Sequence, residues 1–298
     1  IINCARGGLI VESDLIELLN AGHIAGAALD VFSEEPPKNK KLFGVENLIL
    51  TPHLGASTSE AQENVAIQVA QQISDYLNNE VIVNSINVSP ISTEEAPKIK
   101  PYLDLSLKLG RFGGQIIEST IKKINITFRG EVSELNTKPL ISTIVSGIFS
   151  NKMESVNLIN AEAVAKKKNI EIVTSYQSEA VNHEAEIYIN ISTTDEDFSY
   201  AGTIFANSSR IISIMNMRVE AEIKPNMLFI SNNDKPGFIG SLGTLLGDKK
   251  VNIASFYLGR TGSGEAVSLL ELDQFLADDI VSSLVSLTNV KKVKVLKF

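Results

Sequence analysis

Four side chains capable of acid–base or anion-binding chemistry stand at the ends of short apolar runs early in the chain: Arg6, Asp30, Glu35 and His53. Arg6 belongs to Asn3-Cys4-Ala5-Arg6-Gly7-Gly8, Asp30 closes Ala28-Leu29-Asp30, Glu35 precedes Pro36, and His53 follows Thr51-Pro52. A guanidinium offers a planar fork for a carboxylate. An imidazole titrates near neutrality and can carry a proton to or from a substrate oxygen. A neighbouring carboxylate orients the ring and favours its charged form. Together these types suit proton transfer to or from an oxygen of an anionic substrate. Taken singly, His53 reads equally as a hydrogen-bonded loop histidine, Glu35 as a solvated neighbour of Glu34, and Asp30 as a helix cap.

The elements that must position them follow a βαβ pattern over residues 1–56. Ile1-Ile2 reads as the tail of a buried strand, and Ile24 to Val31 and Leu48 to Thr51 as two more. All three are apolar throughout, which predicts a parallel sheet covered on both faces. Asp14 to Leu19 is an amphipathic helix with Ser13 as N-cap and Gly22 as its stop. Ser57-x-x-Glu60 predicts a capping box that opens a long helix. Val65, Val69, Ile73, Tyr76 and Leu77 form one apolar stripe along it, expected to be partly exposed or covered by a partner.

Ser89 to Pro97 is rich in Pro and polar residues and reads as a linker. Residues 98–224 mix helical patterns (Thr143–Phe149, Ala161–Lys168) with alternating strands at Lys123–Phe128, Ile170–Ser175 and Glu186–Ser192. Residues 226–298 read as β-α-β-β-α-β. Two split βαβ halves on one antiparallel sheet make a ferredoxin-like domain. The expected architecture is therefore α/β and α+β multidomain. Its parts are an open α/β segment (1–88), a middle α+β domain (98–224) and a ferredoxin-like domain (226–298).

Composition narrows the function classes. The chain has 298 residues, 44% hydrophobic and 21% charged, with a formal net charge of -8 spread without long blocks. That argues against a nucleic-acid partner. No apolar run reaches the roughly 20 residues of a membrane span, and a single cysteine, Cys4, fits a reducing cytoplasm. His23 and His183 read as surface residues, and with no clustered His or Cys a metal site is not expected.

The spacing of Arg6, Glu35 and His53, with Ala28-Leu29-Asp30-Val31-Phe32 and Thr51-Pro52-His53-Leu54-Gly55-Ala56, resembles the D-isomer-specific 2-hydroxy acid dehydrogenases. The resemblance implies catalysis by Arg6, Glu35 and His53, with Arg6 on the substrate carboxylate and Glu35 paired to the imidazole. Choosing Glu35 over Glu34 rests on that pattern, in which the acid immediately precedes Pro. It also implies that residues 1–88 are the C-terminal part of a Rossmann-like NAD-binding domain, with a nicotinamide site lined by Cys4, Ala5, Arg6, Asp30, His53, Leu54, Gly55 and Ala56. Cys4 is expected to be a small wall residue and not a nucleophile. The sequence has no initiator Met and no Gly-x-Gly-x-x-Gly turn upstream, so it is expected to be the C-terminal portion of a longer enzyme.

Asp234-Lys235-Pro236-Gly237-Phe238, followed by Val251-Asn252-Ile253, is similar to the opening of an ACT domain. With the middle segment, this points to the long phosphoglycerate dehydrogenase branch. It implies NAD, 3-phosphoglycerate and 3-phosphohydroxypyruvate as ligands, L-serine as effector and a homo-oligomer, dimer or tetramer. The implied effector residues are Asn232, Asp234 and Asn252. Arg210, Arg218 and Lys224 are candidates for an anion site in the middle domain. Two rivals stand beside this reading. One is a serine-sensing or oligomerisation module without activity of its own; the other is a different 2-hydroxy acid dehydrogenase, such as a glyoxylate or hydroxypyruvate reductase.

Overall fold

The computed structural model describes residues 1–79, 85, 91, 95–153, 155–180, 183–262 and 264–298. The chain divides into two compact units, Ile1–Glu80 and Val81–Phe298. The calls on residues 80–84, 86–90 and 92–94, most of the expected linker among them, lie outside the described residues.

In the first unit, β1 (Ile2–Asn3), β2 (Ala27–Leu29) and β3 (Leu48–Leu50) form a parallel sheet in that order. Helix α1 (Glu12–Asn20) crosses from β1 to β2 and buries Leu15 and Leu19 against Ala27, Leu29, Phe32 and Leu42. Residue 22 has φ +69, so the chain reverses after α1 at a position that only glycine takes without strain. Ser13 does not cap α1: Val11 precedes the helix, and the Ser13 hydroxyl turns to Asp14. The sheet is also not covered on both faces. Ile2 is 79% exposed and Ile49 66% exposed, because α1 and the turn around Leu42 pack on one side only.

Helix α2 (Ser59–Asn79) follows. Its cap is Thr58, whose Oγ1 accepts from Ala61 N at 3.1 Å, and not the expected Ser57. The Ser57 hydroxyl instead donates to the carbonyl of His53. The α2 stripe at Val65, Val69, Ile73, Tyr76 and Leu77 is solvent-exposed.

The second unit opens with α3 (Ala96–Ile116), so Ala96 and Pro97 form its first turn and not the end of a linker; Pro suits that position, where no N–H partner is needed. Strand β4 (Ile121–Gly130) leads to α4 (Lys138–Ser150), α5 (Ala161–Lys167) and β5 (Glu171–Gln177), which returns parallel to β4. Next come β6 (Ala185–Thr193), β7 (Asp197–Phe205), β8 (Ser208–Ile214) and β9 (Met217–Glu222). They complete a six-stranded sheet of order β5-β4-β6-β7-β8-β9. Helices α3 and α4 touch backbone to backbone. A Cβ on Gly110 would lie 2.3 Å from the Ile144 carbonyl oxygen, so glycine is required there.

The chain ends in β10 (Asn226–Asn233), α6 (Phe238–Asp248), β11 (Ile253–Arg260), β12 (Glu265–Leu272), α7 (Asp278–Val285) and β13 (Val290–Lys297). The antiparallel sheet has order β11-β12-β10-β13, the strand order that two split βαβ halves produce. One face carries Leu228, Ile230 and Leu270 against Leu242 and Leu246 of α6 and Leu284 of α7. The other face sends Met227, Phe229, Val267, Leu269 and Leu296 into the core of the six-stranded sheet. There Phe229 meets Phe112 and Phe198 edge-on at 6.3 Å. The change at residue 225 is therefore a change of sheet within one continuous core. On the outer side of β13, Gln115 of α3 exchanges hydrogen bonds with the Lys297 backbone, 2.8 Å from its N–H and 3.1 Å from its carbonyl. Lys292 and Lys294 of the same strand pair with Glu196 and Glu118.

Candidate functional site

The carboxyl ends of parallel strands point their following loops into one crevice. After β1, the Asn3 side chain shapes the turn that presents Arg6. Its Oδ1 accepts from Ala5 N at 3.1 Å and its Nδ2 donates to the Arg6 carbonyl at 3.1 Å. Sequence reasoning passed over Asn3; a buried polar residue at the end of an apolar strand was the available signal. Gly7 is equally constrained, since a Cβ there would lie 1.7 Å from the Phe32 carbonyl oxygen. The Arg6 guanidinium donates to the Ala5 carbonyl at 2.7 Å and has no carboxylate partner among the described residues. It is free to take a substrate carboxylate.

After β2 and β3 come Asp30, Glu35 and His53. Nδ1 of His53 lies 2.6 Å from Glu35 Oε2. That pairing puts the proton on Nδ1 and leaves Nε2 for a reacting oxygen. The other Glu35 oxygen accepts from Phe32 N at 3.2 Å. The neighbouring Glu34 turns away to Lys38, so the two adjacent glutamates have different partners. The hydrogen bond from His53, and next that from Phe32 N–H, hold the Glu35 carboxyl below the usual carboxylate range. Glu35 is therefore ionised at neutral pH and can balance charge on the imidazole.

Asp30 is buried beneath this loop. Its Oδ1 accepts from the Thr51 hydroxyl at 2.5 Å and from Leu54 N at 2.8 Å, and its Oδ2 from Gly55 N at 3.0 Å. The Thr51 and Leu54 bonds, foremost, hold its carboxyl below the ordinary range. Oδ2 keeps one acceptor site, so Asp30 fits a carboxamide donor such as that of nicotinamide. Cys4, Leu54, Gly55 and Ala56 are exposed around the same crevice. The small residues leave room for a ring to approach the backbone.

Residues 98–215 match the D-3-phosphoglycerate dehydrogenase intervening domain, and residues 1–55 match the NAD-binding domain of the D-isomer specific 2-hydroxyacid dehydrogenases. Three curated relatives named D-3-phosphoglycerate dehydrogenase align across the chain. The protein of Methanocaldococcus jannaschii is 37% identical over 99% of this chain and 57% of its own length. That of Bacillus subtilis is 34% identical, with the same two coverages. That of Synechocystis sp. is 35% identical over 100% of this chain and 54% of its own length. The chain is thus similar to D-3-phosphoglycerate dehydrogenases along its whole length. It spans little more than half the length of these family members.

A second concavity, of about 280 Å³, opens at the N-terminus of α6 and is lined by Asn232, Asp234, Phe238, Leu258, Arg260 and Ala266, among others. Asn232 is 1% exposed and its Oδ1 has no hydrogen-bond partner among the described residues. No side chain caps α6. Asp234 is paired with Arg260 through contacts of 2.5 and 2.7 Å, a partner that the sequence pattern did not single out. Asn252 is not brought to this concavity. It follows the 11-residue α6, roughly 16 Å of helix, and its amide donates to Asp273.

The three cations of the expected anion site are each engaged locally. Arg218 pairs with Glu220, Lys224 pairs with Glu222, and Arg210 lies over the Phe205 ring at 5.5 Å. Among the described residues, no group of His, Cys, Asp and Glu has the arrangement of a metal site, and no helix is long and apolar enough to cross a membrane.

Proposed function

We propose that this chain serves in an NAD-dependent D-3-phosphoglycerate dehydrogenase that oxidises 3-phosphoglycerate to 3-phosphohydroxypyruvate in L-serine biosynthesis. The observation that carries the reading is the His53–Glu35 pair at 2.6 Å, with Arg6 on the loop after β1 and without a carboxylate partner among the described residues. Arg6 holds the substrate carboxylate and draws electron density from the reacting carbon–oxygen bond. Nε2 of His53 takes the proton of the adjacent hydroxyl as the carbonyl forms, and ionised Glu35 stabilises the resulting imidazolium. The spare acceptor site of Asp30 and the backbone around Cys4-Ala5 and His53 to Ala56 hold the nicotinamide end of NAD. When bound, NAD accepts the hydride that leaves the hydroxyl-bearing carbon.

The reading extends to regulation. The β10–β13 sheet with α6 and α7 acts as an ACT domain in a cytoplasmic homo-oligomer. L-Serine sits at the α6 N-terminus near Asn232 and Asp234, with Asn252 contributed by a second copy. The Asn232 acceptor without a partner among the described residues and the α6 N-terminus, which no side chain caps, support that placement. The decisive experiment is 3-phosphoglycerate-dependent reduction of NAD by the complete dehydrogenase. His53→Ala is expected to lower kcat by roughly 10²–10⁴-fold, and near-normal turnover in that variant would refute the assignment. The 298-residue chain by itself, which contains no Gly-x-Gly-x-x-Gly turn, is expected to bind NADH weakly in calorimetry.

A further inference from the structure

Thr51 ends β3 and does more than continue the chain into His53. Its N–H donates to the Leu29 carbonyl at 3.0 Å, tying it to the neighbouring strand. Its hydroxyl donates to Asp30 Oδ1 at 2.5 Å. Leu54 N–H reaches the same oxygen and Gly55 N–H the other one. One buried carboxylate thus gathers three donors from residues 51, 54 and 55, on either side of His53.

His53 itself has φ +55, the left-handed region that a non-glycine residue occupies at a cost. Such a conformation persists where its surroundings over-determine it. The Asp30 bonds do so. Oδ1 already accepts two bonds, its full complement in the carboxylate plane. The terminal torsion of an Asp side chain is intrinsically loose. The Thr51 hydroxyl is the side-chain donor that fixes it, and a fixed carboxylate lets both loop N–H groups align at once.

We propose that Thr51 is a positioning residue of the dehydrogenase site: its hydroxyl locks the Asp30 carboxylate, which holds the 51–55 loop in the backbone conformation that sets His53 against Glu35. This rests on the proposed catalytic role of His53. Valine has the shape of threonine but replaces the donor by a methyl group facing a carboxylate, whereas serine keeps the hydroxyl.

Two measurements test it. In the 298-residue chain, amide exchange followed by NMR reads the Leu54 and Gly55 hydrogen bonds, and the HN–Hα coupling of His53 reads its φ. Wild type and Thr51→Ser are expected to protect both amides, while Thr51→Val loses about tenfold or more of that protection, the scale of a lost hydrogen bond to a charged group. Unprotected amides in the wild-type chain, or full protection in Thr51→Val, overturn the proposal.

In the complete dehydrogenase, Thr51→Val is expected to lower kcat about tenfold or more with KM for 3-phosphoglycerate little changed, and Thr51→Ser is expected to restore turnover. Normal kcat in Thr51→Val overturns the proposal even where His53→Ala is inactive. If His53→Ala itself turns over normally, it is the catalytic reading of the loop that falls, while the exchange experiment still judges the lock. Should Thr51→Val not fold, Thr51→Ala, which removes the hydroxyl without placing a methyl group against the carboxylate, takes its place in both measurements.

Discussion

The two units of the chain hold themselves together by different means. In the first, a core of six buried side chains supports a rim of charged and polar groups, and two isoleucines of its sheet face solvent. In the second, two sheets and three helices share one continuous core in which Phe112, Phe198, Tyr200 and Phe229 interlock. The contrast teaches where each kind of precision comes from. The candidate catalytic loop is set by a few hydrogen bonds over a small core, so single donors matter there. The second unit is set by packing, so volume matters there.

The largest effect expected from that contrast is in the core of the second unit. Phe112→Ala removes a fully buried ring that touches three other aromatic rings, and should cost about 3–5 kcal/mol in denaturant unfolding. A loss below about 1 kcal/mol would mean that the core is looser than it is drawn here.

Next comes ligand linkage at the α6 concavity. Millimolar L-serine should raise the melting temperature of the chain in a saturable way, by up to about 2.7 kcal/mol of stabilisation at a hundredfold excess over the dissociation constant. Asp234→Ala should remove the shift, because it deletes the carboxylate that Arg260 and a ligand ammonium would share. A shift that survives the substitution would move the effector elsewhere.

The first unit should show its hydrogen-bonded character as acid sensitivity. The carboxyls of Asp30 and Glu35 are both held below their ordinary range in the folded chain. Their contribution is therefore complete above the unfolded values near pH 4 and is lost as pH falls below them. NMR signals of the 51–55 loop should broaden or move in that acid window, and Asp30→Asn should flatten the dependence. A loop unchanged down to about pH 2 would contradict the assigned bonds.

At the small end, Lys38→Ala removes a surface pair with Glu34 in which both side chains are solvated. It should change stability by about 0–1 kcal/mol and leave turnover alone. A larger change would give the Glu34 side of the loop a role that its geometry does not suggest.

Much of this was legible in the sequence, for physical reasons that differ by element. The β-α-β-β-α-β order of the C-terminal sheet follows from clean apolar alternation, and every element was found within a few residues of its expected place. The βαβ opening was visible for the same reason. The caps were read less well. Ser13 and Ser57 have the right chemistry, but the backbone begins its helical turn at Glu12 and after Thr58. Which of several adjacent hydroxyls caps a helix is decided by backbone angle, not composition. Within these 298 residues the β1–β3 sheet is packed on one face, by α1 and the turn around Leu42. Arg6, Glu35 and His53 were singled out from their types and the family resemblance, and the structure brings Glu35 and His53 within hydrogen-bond reach. Asn3, Thr51 and Arg260 escaped, since their partners are a turn backbone, Asp30 and Asp234 respectively, and such relations need three dimensions. Asn252 was grouped with Asp234 because both flank α6, yet the length of the helix keeps them apart.

The Gln115 amide on the outer side of β13 carries a consequence for assembly. A side chain that exchanges two hydrogen bonds with a strand backbone imitates one peptide unit of a further strand and stops the ladder there. On the opposite side, β11 pairs with β12 alone. A ladder stopped at one end can lengthen only at the other. The two edge strands of this sheet are therefore not equivalent, since one peptide unit of β13 is already occupied from within its own unit.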